Sequence, residues 1–221
     1  MSGVPYRPWS FEMKVHEGAE ATVSKGVWLG KPAILKVRKP KGYRNPDLDS
    51  RLTKSRMAVE VRALSRLQRV NFPSPSLLYV DQQDSSIIIS EIEGFPLFEV
   101  MVNGNLEEGA LSRVGGTIRR LHENGVSHGD LTTHNIMIGT DGEIFLIDFG
   151  LAKISPELEN LGLDLQVLNE CLTASHSEYS EAIEKVVEGY ISSSTSVPEV
   201  PSSSDVTQRF DEIRNRVRYL G

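Results

Sequence analysis

Two short blocks, His128-Gly-Asp-Leu-Thr-Thr-His-Asn135 and Asp148-Phe-Gly150, constrain this chain more than any other feature. They set an aspartate (Asp130), an asparagine five residues on (Asn135) and a second aspartate thirteen residues after that (Asp148). Between them, Glu143-Ile-Phe-Leu-Ile147 reads as a buried strand that delivers Asp148 at its end. Phosphoryl transfer asks little covalent chemistry of a protein. It needs Mg²⁺ ligands, clamps for phosphate oxygens and one carboxylate beside the attacking oxygen. Asp130 suits the carboxylate role, and Asn135 and Asp148 suit the metal. Asp-Phe-Gly alone also makes ordinary turns; the two blocks at this spacing carry the reading.

The order is that of a kinase catalytic loop and metal-binding turn, and the upstream sequence supplies the parts such a site requires. Ala33-Ile-Leu-Lys-Val37 alternates as a strand, and a helix is predicted over about 54–70 with Met57, Leu64 and Leu67 on one stripe. Glu60 lies on that same stripe, where a carboxylate is costly unless a cation meets it. Lys36 is the expected partner, because a kinase lysine must be held against the nucleotide phosphates.

Ser86-Ile-Ile-Ile-Ser-Glu-Ile-Glu-Gly94 reads as a strand running into a connector. The connector backbone from Ser90 to Ile92 is the expected partner of the adenine edge, with Ile89 behind it. Helices follow. Leu111, Val114, Ile118 and Leu121 form a buried stripe that Gly125 terminates. Tyr179, Ile183, Val186 and Tyr190 form a second, and Val206, Phe210, Ile213, Val217 and Leu220 a third. Between the last two, Ser192–Ser204 holds seven serines and two prolines and reads as a linker. The expected fold is α+β and two-lobed, protein-kinase-like. A β-rich N-lobe covers 1–92, a reduced helical C-lobe with a truncated activation segment 93–204, and a C-terminal helix with a basic tail 205–221.

Composition narrows the function classes. With 221 residues, 39% hydrophobic and 24% charged, the chain suits one large domain or two small lobes around a cleft. No apolar run approaches the ~18 residues of a membrane span, and the start lacks a signal-peptide core. The single cysteine, Cys171, excludes an internal disulfide and suits a reducing compartment. The net charge of −6 hides an asymmetry: residues 31–56 carry nine Lys/Arg against Asp47 and Asp49. That segment is either a solvated loop or an anion-binding patch.

Three departures from the protein-kinase pattern are informative. The phosphate loop reads Glu17-Gly-Ala-Glu-Ala-Thr-Val23, in which only Gly18 and Val23 fit the usual glycine-rich form and Glu20 would face phosphates. Gly129 replaces the arginine before the catalytic aspartate, the usual partner of a phosphorylated activation loop. Only 16 residues separate Asp148 from Asp164 and no Ala-Pro-Glu follows, so the platform for peptide substrates is nearly absent.

Together with Lys39-Pro-Lys-Gly-Tyr-Arg-Asn-Pro-Asp-Leu-Asp49, Glu91-Ile-Glu-Gly94 and Leu163-Asp-Leu-Gln-Val-Leu168, these blocks resemble the small atypical Ser/Thr kinase/ATPase family of the KEOPS (EKC) complex, the PRPK-like family, over roughly residues 15–220. The resemblance implies Mg²⁺ and ATP as cofactors. Its site has Lys36 on the α/β-phosphates, Glu60 orienting it, and Asp130 as base or water-positioner. Asn135 and Asp148 hold the metal, while Gly18, Ala19, Glu20, Val23, Ser90 and Ile92 surround the nucleotide. It further implies a role beside a transferase subunit, through the C-lobe, and a small regulatory subunit, through the N-lobe. The assembly adds threonylcarbamoyl to the adenosine next to the anticodon of tRNA, in the cytoplasm and, in a eukaryote, the nucleus, with no membrane involved. The arginines Arg214, Arg216 and Arg218 would form a tail able to reach RNA. Two other readings stand beside this one: a small-molecule phosphotransferase of the aminoglycoside type, and a catalytically silent nucleotide-binding scaffold. The complete set Lys36, Glu60, Asp130, Asn135 and Asp148 argues against the scaffold.

Overall fold

Three antiparallel strands open the fold: β1 (Trp9–Glu17), β2 (Ala21–Trp28) and β3 (Lys31–Arg38). Helix α1 (Pro46–Arg69) follows, then β4 (Leu77–Asp81) and β5 (Ser86–Ser90). The strands make one antiparallel sheet in the order β1-β2-β3-β5-β4. This computed structural model describes residues 8–17, 21–38, 46–195 and 197–220, without the side chains of 46–50 and 217–220. The expected nucleotide-loop residues Gly18, Ala19 and Glu20 lie outside the described residues, as do Lys39, Lys41 and Arg44 of the basic segment.

Helix α1 begins earlier than the periodicity predicts, at Pro46, a residue whose fixed φ and missing N–H suit a first helical position. Its inner face carries Met57, Glu60, Ala63, Leu64 and Leu67, all buried.

The remaining elements are β6 (Gly94–Pro96), α2 (Leu97–Val102), α3 (Ala110–Glu123), β7 (Val126–Ser127), β8 (Ile136–Gly139), β9 (Ile144–Leu146), β10 (Lys153–Ile154), α4 (Leu158–Ser175), α5 (Ala182–Ser192) and α6 (Ser203–Leu220). Strands β6, β8 and β9 form a small sheet. The α3 stripe Leu111, Val114, Ile118 and Leu121 is buried, and Gly125, at φ +67°, follows the helix end as a left-handed stop. One hydrophobic core runs from Leu64, Leu67 and Ile87 in the β-rich part to Leu121, Leu131, Phe149 and Leu165 in the helical part.

Two elements differ from the sequence reading. Tyr179 precedes α5 and anchors α2 instead, its hydroxyl donating to the Met101 carbonyl at 3.0 Å. The serine-rich linker ends sooner than Ser204, because Ser202 and Asp205 cap α6 reciprocally: the Asp205 N–H donates to Ser202 Oγ (3.1 Å) and the Ser202 N–H to Asp205 Oδ2 (3.2 Å).

Helices α3 and α5 approach closely because each presents a glycine to the other's backbone. A Cβ on Gly115 would lie 1.9 Å from the Val186 carbonyl oxygen, and one on Gly189 would lie 2.0 Å from that of Ser112. Neither neighbour is a side chain that could swing aside. Gly115→Ala should therefore destabilise the protein by about 1–3 kcal/mol through overpacking. Denaturant melts of the variant and of the wild type check this; equal midpoints would contradict the contact.

Candidate active site

Strand β3 and helix α1 meet at Glu60, which is 1% exposed. Its Oε1 accepts from Lys36 Nζ at 2.9 Å and its Oε2 from the Arg38 guanidinium at 2.6 Å. Lys36 and Arg38 stand two apart on one face of β3 and are themselves buried. Lys36 Nζ also donates to Asp148 Oδ1 at 2.6 Å. Two cations and two carboxylates thus close a network between the β-rich and helical parts.

Asp148 follows β9 at φ +63°, a left-handed conformation that aspartate tolerates better than most residues. The Ile147 N–H donates to the Asn135 carbonyl (3.0 Å), tying the Asp148 turn to the loop that carries Asp130 and Asn135. Burial alone would raise the Asp148 pKa, but the charge and hydrogen bond of Lys36, the charge of Arg38 and the Gly150 N–H outweigh it. The net effect holds the carboxyl below its ordinary value. Asn135 donates through Nδ2 to the Asp130 carbonyl (2.8 Å) and to Asp130 Oδ2 (3.2 Å). Its Oδ1 is left to accept a cation, and Asp130 is fixed at the mouth of the cleft.

A cleft of about 270 Å³ joins these groups, lined by Val23, Lys36, Arg38, Asp130, Asp148 and Gly150, with His16, Ala21, Arg56 and Leu151 completing its wall. The connector behaves differently along its length. The Ser90 N–H donates to the Ser76 carbonyl (2.9 Å) and the Glu91 N–H to that of Pro32 (3.4 Å). Among the described residues, the Ile92 N–H is the amide of the three left without a protein acceptor. The Ser90 side chain is likewise occupied, accepting from the Ser76 N–H at 2.9 Å.

A second buried carboxylate, Asp164 on α4, organises the catalytic loop from below. It accepts the His128 N–H at 2.6 Å and the Gly129 N–H at 2.8 Å. His128 Nε2 meets the Ile147 carbonyl at 2.9 Å, and its ring lies 4.9 Å from that of Phe149. Gly129 replaces the usual arginine for a steric reason. Its φ is +79°, and a Cβ there would lie 2.2 Å from the Leu151 carbonyl oxygen. Asp164 also meets His122 Nε2 (3.2 Å), whose Nδ1 is 2.8 Å from the Tyr190 hydroxyl. Burial pushes the Tyr190 pKa up to about 12, so the hydroxyl keeps its proton. The second threonine of the Thr-Thr pair, Thr133, is fully buried, its hydroxyl 3.3 Å from both Cys171 Sγ and His176 Nε2.

Arg38, Asp164 and His122 have no role in the sequence reading. Two signals pointed to them. Arg38 shares the β3 face of Lys36, and Asp164 sits within the apolar run of α4 as Glu60 does within that of α1. Of the three arginines of the tail, the first departs from expectation. Arg214 folds onto Asp211 (2.8 Å) and Glu184 (3.8 Å) and stacks 5.1 Å over the Phe210 ring. Arg216 is exposed, and the Arg218 side chain lies outside the described residues.

Comparison with known proteins gives this geometry a lineage. Residues 40–176 match the lipopolysaccharide kinase (Kdo/WaaP) family. The mouse EKC/KEOPS complex subunit Tp53rkb is 33% identical over 92% of this chain and 86% of its own length. The chain belongs to the Kdo/WaaP-like kinase family of Tp53rkb. A probable bifunctional tRNA threonylcarbamoyladenosine biosynthesis protein of Methanothermobacter thermautotrophicus is 36% identical over 92% of the chain, which spans 36% of that relative's length. The homologous protein of Methanosarcina mazei is 34% identical over 86% of the chain, which spans 32% of its length. The crystal structure of the Rio2 kinase from Chaetomium thermophilum, a complex with ADP/Mg²⁺ and phosphoaspartate, matches 95% of this chain and 72% of that one. Its TM-score is 0.63 at 14% identity, which shows the fold. The architecture is that of an atypical kinase.

The depressed Asp148 pKa sets a pH dependence. Stability from ionised Asp148 is fully present above the unfolded pKa of about 3.9 and is lost as pH falls through the lower folded value. Asp148→Asn cannot titrate. The Tm difference between wild type and this variant should therefore shift as pH falls from about 5 to about 2, against the wild type. A difference constant across that range would mean that the Lys36 contact does not hold Asp148 ionised.

Proposed function

We propose that the chain is the ATP-hydrolysing, atypical Ser/Thr kinase subunit of a KEOPS-type assembly. In this role it supports threonylcarbamoyl modification of the adenosine beside the tRNA anticodon. The observation that carries the reading is Lys36 held at once by Glu60 and Asp148, in the cleft that also contains Asp130. The names of the relatives supply the assembly and the RNA, and the reading concerns the kinase-like part that this chain shares with the bifunctional proteins.

The residues fit Mg²⁺ and ATP. Asp148 and the Oδ1 of Asn135 are hard oxygen donors of the kind Mg²⁺ takes, and Lys36 is a buried ammonium suited to phosphate oxygens. Bound Mg-ATP supplies the transferable phosphoryl group and neutralises its charge. Within the protein, Glu60, its second oxygen fixed by Arg38, holds Lys36 at its station. Asp148 and Asn135 would hold the metal, and the Ile92 N–H would meet the base edge. Asp130 accepts the proton of the attacking water or hydroxyl at its carboxylate. Val23, on the cleft wall, would contact the nucleotide; Gly18, Ala19 and Glu20, outside the described residues, are proposed to complete the nucleotide loop.

Residues 1–92, 93–204 and 205–221 serve in this reading as N-lobe, reduced C-lobe and terminal helix, in a protein of the cytoplasm or, in a eukaryote, also the nucleus. The regulatory subunit docks on the N-lobe. In support, edge strand β1 leaves Phe11, Met13 and Val15 at 62%, 55% and 55% exposure, a row of apolar side chains beside unpaired backbone. The transferase subunit docks on the C-lobe. No helix among the described residues is long and apolar enough to cross a membrane.

The aminoglycoside-type reading is weaker. A hollow of about 660 Å³ does carry five glutamates, Glu107, Glu108, Glu178, Glu181 and Glu188, more room than the sequence suggests. It shares no lining residue with the cleft around Asp130, so it does not present a substrate to the catalytic carboxylate.

Asp148→Ala should lower Mg²⁺-ATP hydrolysis by a few orders of magnitude with the fold intact, since it removes a metal-based stabilisation of several kcal/mol. Retention of more than about a tenth of wild-type activity would contradict the mechanism. Generic peptides should be phosphorylated far below the ~1–100 s⁻¹ typical of kinases. A peptide array with a strong consensus and turnover in that range would instead support a signalling enzyme. Hydrolysis measured with and without tRNA and the transferase partner distinguishes the assembly role from that of a free-standing enzyme.

A further inference from the structure

Helix α1 has two faces of opposite character. The inner one buries Glu60 among Met57, Ala63, Leu64 and Leu67. The outer one carries Arg51, Lys54, Arg62, Arg66 and Arg69, all exposed. At 3.6 residues per turn these five fall within about 120° of the helix circumference, opposite Glu60, and at 1.5 Å per residue they extend over about 27 Å. The helix carries Asp47 and Asp49 in its first turn; from Ser50 to Arg69 the only acid is Glu60 itself, on the far side.

Among the described residues no carboxylate pairs with any of the five. Arg62 Nε donates to the Ala58 carbonyl (3.2 Å) of its own helix and Arg66 Nε to that of Asn124 (2.7 Å). Elsewhere in this chain of net charge −6, the exposed Lys14 and Arg113 and the part-buried Lys25, Arg209 and Arg214 do meet acids. The residues between the cations, Ser55, Ala58 and Ser65, are small. The stripe therefore lacks the apolar centre of a protein interface and the large apolar face of a membrane-binding helix. A row of unneutralised charge with small spacers suits a phosphate backbone.

We propose that the outer face of α1 is an RNA-binding surface that seats the sugar-phosphate backbone of tRNA. The inference rests on the tRNA role given above. It moves the RNA contact away from the C-terminal arginines, the first of which is already neutralised by Asp211 and Glu184. Because the same helix carries Glu60, the surface lies one helix diameter from the ion-pair network that positions Lys36.

The test compares the full-length chain with its Lys54→Ala/Arg62→Ala/Arg69→Ala variant. Arg66 is kept because it also holds the Asn124 carbonyl. Binding of an unmodified tRNA transcript is titrated at several salt concentrations. The wild type should bind weakly, with Kd of about 10⁻⁴ to 10⁻⁶ M near physiological salt, and the variant's log K against log salt slope should be shallower by about 2–3. An unchanged slope, or no tRNA binding by the wild type at low salt, would overturn the proposal. So would loss of binding to phosphatidylserine-containing vesicles with tRNA binding unaffected, which would make the stripe a membrane contact. ATP hydrolysis without RNA should be equal in both proteins. A chain that binds tRNA through the stripe yet hydrolyses no ATP would support this surface while removing the catalytic reading.

Discussion

Glu60 is the group on which the rest of the site depends. A carboxylate at 1% exposure is tolerable only because both oxygens are satisfied, one by Lys36 and one by Arg38. That requirement fixes the register of α1 against β3 and so the position of the lysine. Asp148 then completes a set of two cations and two anions with no net charge. Only this last member is substantially exposed, its side chain at 45%. The exposed edge of the network is therefore the part free to exchange partners. In the proposed function a metal would draw on Asp148 and phosphate on Lys36, while Glu60, itself held by Arg38, would keep the lysine in place.

The helical part solves a different problem, how to hold a catalytic loop without a peptide platform. Asp164 gathers two backbone amides of that loop, and His122, Tyr190 and Arg119 continue the chain of contacts through the core. Arg119 donates to Glu123 at 2.8 Å and to the Pro201 carbonyl at 2.9 Å. The segment before α6 is thus tied, through buried polar groups, to the loop that carries Asp130. Gly129 belongs to the same economy: an arginine there would strike the Leu151 backbone, and the chain has no activation loop long enough to need one.

Much of this was legible in the sequence where a local pattern conflicted with its surroundings. Glu60 within an apolar helical stripe demanded a cation, and Lys36 answered it. The spacing of Asp130, Asn135 and Asp148 predicted that these side chains converge, because the loop is short and its geometry local. Arg38 and Asp164 were less visible for a physical reason. Arg38 shares a carboxylate already assigned to Lys36, and Asp164, although it stands out in the apolar run of α4, is satisfied by backbone amides distant in sequence, so no side-chain partner could be named for it. The occupation of the Ser90 amide by Ser76 was equally hidden, since backbone pairing across β4 and β5 depends on register. The outer stripe of α1 was blurred in the composition, because the basic segment 31–56 joins Arg51 and Lys54 with Lys36 and Arg38, which point into the site, and stops short of Arg62, Arg66 and Arg69.

The central claim is that Lys36 and Glu60 act as one unit in ATP hydrolysis. A double-mutant cycle on single-turnover hydrolysis, with Lys36→Ala, Glu60→Ala and the combined variant, addresses it most directly. The account predicts that each single change impairs turnover severely and that the double variant is little worse than the weaker of the two. Strictly additive defects would contradict it, because they would show the lysine finding the phosphates without the carboxylate that the structure gives it.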